Sequence, residues 1–585
     1  MRARVISVAL ALGIAVWLWG LAWSTAPGHY DLAPLLLLAG VYLLLGFTLQ
    51  RGSELARAIH EGLGAAASLA IGGVLVWHCR EQLWLPARPL SFLAAAAAAA
   101  VLHYAVSRLA PPPQGLGRSA LRFGAPLALL LATLAASYET SGTFRWHLLR
   151  HNKLLGTPAY FALAQPVKGE EEALWARHGA NGDCPPPPSA QAQATSPGPH
   201  LVFVLVDTLR ADSLSAYGGD PGAMPRLNQF AAGSLVFADV QANASWTRPS
   251  VASFFTGLLQ ERHGAVDRDD RLPERVTTLA EVLAGRGYET AAFVSNFAAV
   301  GKEAGFAQGF ETFRELSSRT DPYARAGEVN RATLDWLRSR GAAARPLFLY
   351  VHYLDPHAPY LSGGTTSGDH RVAYDAYRRE LGYVDDHIAR LLEGLALRLR
   401  GPRMVLVTSD HGEEFGEHGE RGHGRSLYRE VIHLPAVLAV TGGEPGRVEA
   451  RLEQRDFFDL LLDLAERPGL DIAEWALARS RRERYASVYT GTDVALHRPY
   501  LRHVAMRSLE RGADKLIWSG YGSTLELYDL ASDPSETYNL AARRRADVAA
   551  FQKGLDDHVT GWCPRISTET SQETRDLLKA LGYVQ

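Results

Sequence analysis

LVFVLVD, Leu201 through Asp207, is an unbroken apolar run rich in valine and closed by a carboxylate. A strand buried on one face alternates apolar and polar residues, so a continuous run suits a strand covered on both faces, as in a parallel sheet. Runs of the same kind recur at TAAFVSN (Thr290 to Asn296), PLFLYVHYLD (Pro346 to Asp355), MVLVTSD (Met404 to Asp410) and PAVLAV (Pro435 to Val440). Helical patterns such as VTTLAEVLAGRG lie between them, and that alternation predicts an α/β sandwich. Ligands of such sheets sit beyond the carboxyl ends of the strands, where Asp207, Asp355 and Asp410 close their runs.

The domain is preceded by CPPPPSAQAQATSPGPH, which cannot pack a core and reads as a semi-rigid spacer. Before it the composition changes. Almost no acidic residue precedes Glu139, and apolar runs span Val5 to Trp23, Leu32 to Leu49, Leu63 to His78, Leu90 to Leu109 and Ala120 to Tyr138. Each approaches the roughly 20 residues that cross a bilayer, predicting five transmembrane helices. The third and fifth are short and rich in Gly and Ala, so four helices with a re-entrant segment is the alternative. The first run lacks a convincing small-residue cleavage site and is read as a retained helix rather than a signal peptide. Arg2, Arg4, Arg51, Arg57, Arg108, Arg118 and Arg122 fall on one side, against Arg80 and Arg88 on the other. The positive-inside bias then places everything after Tyr138 outside the cytoplasm.

The basic residues are mostly Arg rather than Lys, which points to a GC-rich bacterial genome. The expected location is therefore a bacterial inner membrane, with the C-terminal domain in the periplasm. Three cysteines, Cys79, Cys184 and Cys563, exclude a zinc-thiolate cluster or a disulfide scaffold. Pairing of Cys184 with Cys563 and two free thiols both stay open. A net charge of −2 without a basic patch gives no footprint for nucleic acid. Downstream, KLIWSG and TLELYDL read as strands of a small α+β subdomain. The expected domains are 1–140 (transmembrane), 141–199 (juxtamembrane region and linker), 200–485 (catalytic) and 486–585 (C-terminal subdomain).

Within 200–485 four segments carry chemistry. In VDTLRADSLSAYG, Asp207 ends a strand where a carboxylate can hold a metal, although a strand-terminal Asp also serves as a cap. In SWTRPSVASFFTG, Thr247 stands at a helix start with Pro249 in the first turn. A hydroxyl there meets the positive end of the helix dipole, suits a sulfate or phosphate ester, and becomes nucleophilic if its oxygen binds a metal. The alternative is a plain helix cap. In TSDHGEEFGEHGERGHG, the adjacent Asp410 and His411 can ligate one ion, and His418 and His423 follow. Carboxylate plus imidazole suits zinc or manganese without excluding calcium or magnesium. In VHYLDPHAPY, His352 and His357 flank Asp355, and the prolines around His357 suit a positioned general acid.

The order of these segments resembles the sulfatase family of the alkaline phosphatase superfamily over roughly residues 200 to 585. The resemblance also rests on HGAV at His263, LYREVIHLPAVL and the tail motif LYDLASDPSETYNL. It implies an alkaline-phosphatase-like α/β/α sandwich. Asp207, Asp410 and His411 would bind a divalent cation together with the oxygen of Thr247. His357 and His423 would contact the ester's anionic oxygens or its leaving group. Arg248, His352 and Arg425 complete the substrate contacts. His423 stands near the family's Lys, with Arg425 as competitor for that place.

Departures from the family pattern bear on the reaction. The family's nucleophile is a Cys or Ser oxidised to formylglycine, which Thr247 cannot form. Its following Arg is Val251 here, and its second opening Asp is Thr208. A Thr nucleophile resembles that of nucleotide pyrophosphatase-type phosphodiesterases and of membrane enzymes that transfer phosphoethanolamine or phosphoglycerol. The expectation is a membrane-anchored hydrolase of sulfate or phosphate esters on a glycan or lipid headgroup, with phosphoester chemistry favoured. The alternatives are a headgroup transferase and a non-catalytic binding protein on the same scaffold. A second cation at Asp355, His357 and His423 is also left open.

Overall fold

The computed structural model describes residues 198–317, 323–340, 345–360, 370–419, 421–490, 504–519 and 524–558. The run that opens the domain forms β1, His200–Val206. Its side chains alternate between two faces, and both faces are covered. Leu201, Phe203 and Leu205 enter one core cluster while Val202, Val204 and Val206 enter another. Double coverage is the reason this strand carries no polar residue between its ends.

The remaining strands of the main sheet are β2 (Leu235–Gln241), β3 (Glu289–Val294), β4 (Thr312–Glu315), β5 (Leu347–Tyr353), β6 (Arg403–Ser409), β7 (Ala436–Val440) and β8 (Gly446–Glu453). They lie in the order β8-β2-β7-β6-β1-β5-β3-β4, and the short strand His433–Leu434 pairs with β2. β1 runs parallel to β5 and β6, and β3 runs parallel to β5 and β4. β7 is antiparallel to both β6 and β2. The PAVLAV run is therefore apolar because its strand is central, not because it is parallel.

Helices α1 (Pro225–Ala232), α2 (Thr247–Thr256), α3 (Leu279–Gly285), α4 (Ala326–Ser339), α5 (His370–Arg398) and α6 (Asp456–Glu466) cover the sheet. Leu227, Val329 and Ile388 place α1, α4 and α5 on the valine face of β1. Phe254, Leu279 and Leu461 place α2, α3 and α6 on the other. The helix expected in VTTLAEVLAGRG is α3, started by a capping box in which Thr278 and Glu281 bond each other's backbone N–H. Phe203 on β1 meets Phe254 and Phe255 on α2 at ring-centroid separations of 5.0 and 6.2 Å. Truncating a buried Phe of this kind to Ala costs about 3–5 kcal/mol. The strand that leads to Asp207 and the helix that begins at Thr247 are thus packed against each other.

A second, antiparallel sheet contains β9 (Glu483–Thr490), β10 (Val504–Arg511) and β11 (Asp514–Ser519), the last from KLIWSG. The chain divides into two compact units, and the main sheet lies in the unit Pro166–Tyr521, Asp529–Ser535 and Arg545–Gln585. In the other unit Asn539, from the tail motif, accepts a hydrogen bond from Leu527 N and donates one to Leu525 O, each at 3.1 Å. Among the described residues no helix is long and apolar enough to cross a membrane. The five apolar runs, Cys79, Cys184 and Cys563 lie outside the described residues.

Candidate active site

Because β1, β3, β5 and β6 are mutually parallel, their carboxyl ends share one edge of the sheet. Asp207 follows β1, Asn296 lies just past β3, His352 belongs to β5, and Asp410 and His411 follow β6. All five are fully buried. Thr247 is brought to the same edge as the first residue of α2. The cap position is Trp246, which makes no side-chain cap bond, and Thr247 is the first helical residue. Its Oγ1 lies 3.4 Å from Asp207 Oδ2 and 3.3 Å from His411 Nε2. Ser250, one turn along α2, donates to the Asp410 carbonyl at 2.6 Å and accepts from Gln454 Nε2 at 2.7 Å. The helix start is thereby fastened to the end of β6.

Asp207, Asp410 and His411 each present a ligand atom, and these atoms lie within 4.8 Å of one another. His411 Nδ1 is 2.9 Å from the Gly412 carbonyl, so Nδ1 carries the proton and Nε2 the lone pair. That lone pair faces Asp410 Oδ2 at 3.3 Å and Asp207 Oδ1 at 3.7 Å. Both carboxylate oxygens are buried without a hydrogen-bond partner among the described residues. Burying such groups unpaired is strongly unfavourable, and a cation among them removes the penalty. The donor set therefore fits a divalent ion of the kind that accepts mixed oxygen and nitrogen ligands.

The electrostatics agree. Burial, reinforced by the Asp410 charge, pushes Asp207 well above the usual carboxylate range. Burial also raises Asp410, and it lowers His411 to about 4. A bound cation would reverse the shifts of the two carboxyls and reinforce that of His411, because it favours carboxylate and neutral imidazole together. Asp410 is oriented for this by two backbone amides on its other oxygen, Oδ1: His411 N at 2.9 Å and Thr208 N at 3.3 Å. Thr208 adopts φ 55, a left-handed conformation that a β-branched residue rarely takes, and this turns its N–H toward Asp410.

His352 Nε2 lies 3.8 Å from Asp207 Oδ2, on the Asp207 side of the cluster. His357 and His423 stand on the solvent side, with ring centroids 4.9 Å apart, and His423 is 4.4 Å from His411 by the same measure. Burial lowers all three, His357 to about 4 with His423 adding, His352 to about 3 with His357 adding, and His423 to about 3 with Arg425 adding. Arg425 is exposed beside His423.

Two expectations need correction. Arg248 does not reach the cluster. It is buried, and its guanidinium donates to the carbonyls of Ala299 (2.9 Å), Asp267 (3.1 Å), Asp270 (2.8 Å), Ala298 (2.5 Å) and Arg268. All three of its nitrogens are engaged by these five carbonyls, which hold the first turn of α2 to two loops. Asp355 does not join His357 and His423 in a second cation site. Its carboxylate accepts from Arg325 Nε at 2.9 Å and from Ala326 N at 2.8 Å, at the start of α4. Reading the sequence also missed Asn296, whose Nδ2 donates to Asp207 Oδ2 at 3.2 Å while its Oδ1 accepts from Ala299 N at 3.2 Å. The signal was present, since TAAFVSN ends a buried strand on an Asn.

Residues 199–467 match the family model described as Sulfatase. An uncharacterised sulfatase of Escherichia coli K12 is 21% identical over 415 residues, covering 58% of this chain and 83% of that protein. Arylsulfatase A of Bos taurus is 36% identical over 433 residues, covering 60% of this chain and 85% of that protein. The crystal structure of a putative sulfatase from Bacteroides thetaiotaomicron superposes with a TM-score of 0.53 at 18% identity, covering 62% of this chain and 92% of that one.

Proposed function

This chain belongs to the sulfatase family and is a hydrolase of sulfate or phosphate esters; from its site we infer that Thr247 is the nucleophile and that phosphoesters are the favoured substrates. The observation that carries the reading is the placement of Thr247 Oγ1 between Asp207 Oδ2 and His411 Nε2 at the start of a helix. A threonine hydroxyl cannot become the aldehyde on which formylglycine chemistry depends. It can attack phosphorus in line and form a phosphothreonine ester.

Asp207, Asp410 and His411 would hold the divalent ion, whose charge lowers the pKa of the Thr247 hydroxyl and offsets charge on the reacting group. Thr247 attacks as the alkoxide, its proton having gone to solvent, and forms the new oxygen–phosphorus bond as the bond to the leaving oxygen breaks; cleavage of phosphothreonine by water releases the same alkoxide. Asp207 orients the attacking hydroxyl. The first turn of α2 adds its dipole to the binding of the anionic ester. On the solvent side His423, with His357 beside it, enters as imidazolium, a form that burial disfavours and the anionic ester beside it favours, and hands a proton to the leaving oxygen. In the second step it takes a proton from the water that cleaves phosphothreonine.

An acceptor hydroxyl in place of that water would make the enzyme a transferase. The five apolar N-terminal runs favour this second reading, and with it a membrane anchor and a periplasmic site on a glycan or lipid headgroup. Intact mass spectrometry of the full chain tests the first reading, after brief incubation with manganese and a mixture of p-nitrophenyl phosphate, bis-p-nitrophenyl phosphate and p-nitrophenyl sulfate. A phosphoryl adduct that vanishes in Thr247→Ala is expected. Sulfate turnover surviving that substitution overturns the mechanism. Release of a labelled headgroup from phosphatidylethanolamine to an acceptor, rather than to water, decides between hydrolase and transferase.

A further inference from the structure

The segment EEFGEHGE carries several carboxylates that look interchangeable as sequence. The structure gives them different tasks. Glu414 Oε2 accepts from Ser426 Oγ at 2.9 Å, and Glu417 pairs with Arg210 at 2.5 Å. Glu413 instead turns toward the histidines. Its Oε1 lies 3.0 Å from His423 Nδ1, and its Oε2 accepts from Tyr360 O–H at 3.3 Å.

Three features fix this carboxylate in place. The Glu413 backbone carbonyl accepts from Arg210 Nη1 at 3.0 Å. Gly412 N donates to Val431 O at 2.7 Å, and a Cβ on Gly412 would stand 2.0 Å from the Glu430 carbonyl, so the segment lies hard against its neighbour. The antiparallel pair Glu414↔Gly422 and Phe415↔Arg421 makes Glu413 and His423 the next residues facing each other across the ladder. A short ladder of this kind sets register, and register here decides which carboxylate meets which imidazole. Glu413 is fully buried, whereas the His423 side chain is 10% exposed. The carboxylate thus stands behind the ring, on the side away from solvent.

We propose that Glu413 is a positioning residue for the reaction: by accepting from Nδ1 it fixes the ring of His423 and makes Nε2 the nitrogen that exchanges a proton with the ester. The proposal rests on the reading of His423 given above. The ring enters the first step as imidazolium, favoured by the bound anionic ester against burial; its Nε2 proton passes to the leaving oxygen as the bond to phosphorus breaks, leaving the neutral Nδ1–H imidazole, and the water that opens phosphothreonine returns a proton to Nε2. Throughout, Nδ1 keeps its proton and its bond to Glu413. Outer partners of this type tune the group they hold rather than touching the substrate.

The test is a double-mutant cycle in the full chain, with Glu413→Leu, His423→Ala and the double variant assayed on p-nitrophenyl phosphate and on phenyl phosphate. Proton donation matters most for the poorer leaving group. Glu413→Leu is expected to lower kcat for phenyl phosphate about 10–100-fold, to change p-nitrophenyl phosphate turnover by less than about 3-fold, and to leave KM near wild type. In the His423→Ala background the same change should matter less than about 2-fold, because its route of action is gone. Equal losses in both backgrounds overturn the proposal and leave His423's role standing. If His423→Ala itself shows no dependence on leaving group, the reading of His423 falls and the proposal falls with it. Thermal melts check folding, and if Glu413→Leu does not fold, Glu413→Gln is run through the same cycle with the same criterion of background dependence.

Discussion

Thr247 Oγ1 and His411 Nε2 lie 3.3 Å apart across 164 residues of chain. A hydroxyl at the start of α2 thereby meets the lone pair of an imidazole at the end of β6. Thr247→Ala is expected to lower kcat/KM for an activated phosphoester by at least about 10³-fold, the scale on which loss of a covalent nucleophile is felt. Thr247→Ser should keep a measurable fraction. Steady-state kinetics decide, and Ala turning over within about tenfold of wild type would remove Thr247 from the mechanism.

The unpaired oxygens of Asp207 and Asp410 make the fold itself sensitive to divalent ions. A cation at a hundredfold excess over its Kd stabilises the native state by about 2.7 kcal/mol. Chelator should therefore lower the Tm of wild type, and added manganese should restore it. Asp410→Asn is expected to abolish that response. A shift of equal size in the variant would move the ion elsewhere.

Arg325 offers a test that separates stability from chemistry. It pairs with Asp355 at 2.9 Å and with Glu380 at 2.5 Å, and both carboxylates are almost fully buried. Arg325→Met leaves them without their cation. Because the Arg325 side chain is 27% exposed, the loss is discounted to about 2–3 kcal/mol from the range for buried pairs. Chemical denaturation measures it. Asp355→Asn should likewise lower stability while leaving the number of bound metal ions per chain unchanged, whereas a second cation site at Asp355 would lose one.

A network between the sheets sets the acid limb of stability. Arg484 on β9 pairs with Asp239 on β2 at 2.8 Å and with its cross-strand partner Glu510 on β10. Burial works to raise both carboxyls, but Arg484, with His433 at Asp239 and Lys515 at Glu510, outweighs it and holds them below the usual range. Folded values below the unfolded ones mean stability that is present above about pH 4 and is lost as pH falls through the folded values. Arg484→Met should cost about 3 kcal/mol near neutrality, and the gap from wild type should narrow in acid. A gap independent of pH would show that the pair contributes through packing alone.

How far these features are legible in the sequence follows from what each depends on. β1, β3, β5 and β6 were readable because burial on both faces leaves an unbroken apolar run, and each run stops where the chain leaves the sheet. β2 and β8 were not, since LVFADVQ and GRVEARLE carry charges where their faces meet solvent or ion pairs. The metal-type cluster was readable because Asp207, Asp410 and His411 sit at strand ends. Arg248 misled, because proximity in sequence to Thr247 says nothing of which way α2 turns its second residue. Asp355 misled for a similar reason, as the α4 start that claims its carboxylate lies about thirty residues upstream. Asn296 had a local signal in its place at the end of a buried strand, but its bond to Asp207, like that of Glu413 to His423, is a contact between segments that no local pattern records.

The strand order also has a consequence for how this protein is made. Thr208 and Asp410 meet across 202 residues, and β6 lies beside β1 although β2 through β5 are synthesised between them. A chain emerging N-terminus first exposes Asp207 and Thr247 long before His411 exists, and long-range pairings of this kind form late. The Thr247 hydroxyl therefore lacks its partner His411 until the chain between them has been made. The cluster of Asp207, Thr247, Asp410 and His411 is complete only when β6 slots in beside β1, so on the reading of Thr247 as nucleophile the topology itself delays the reaction.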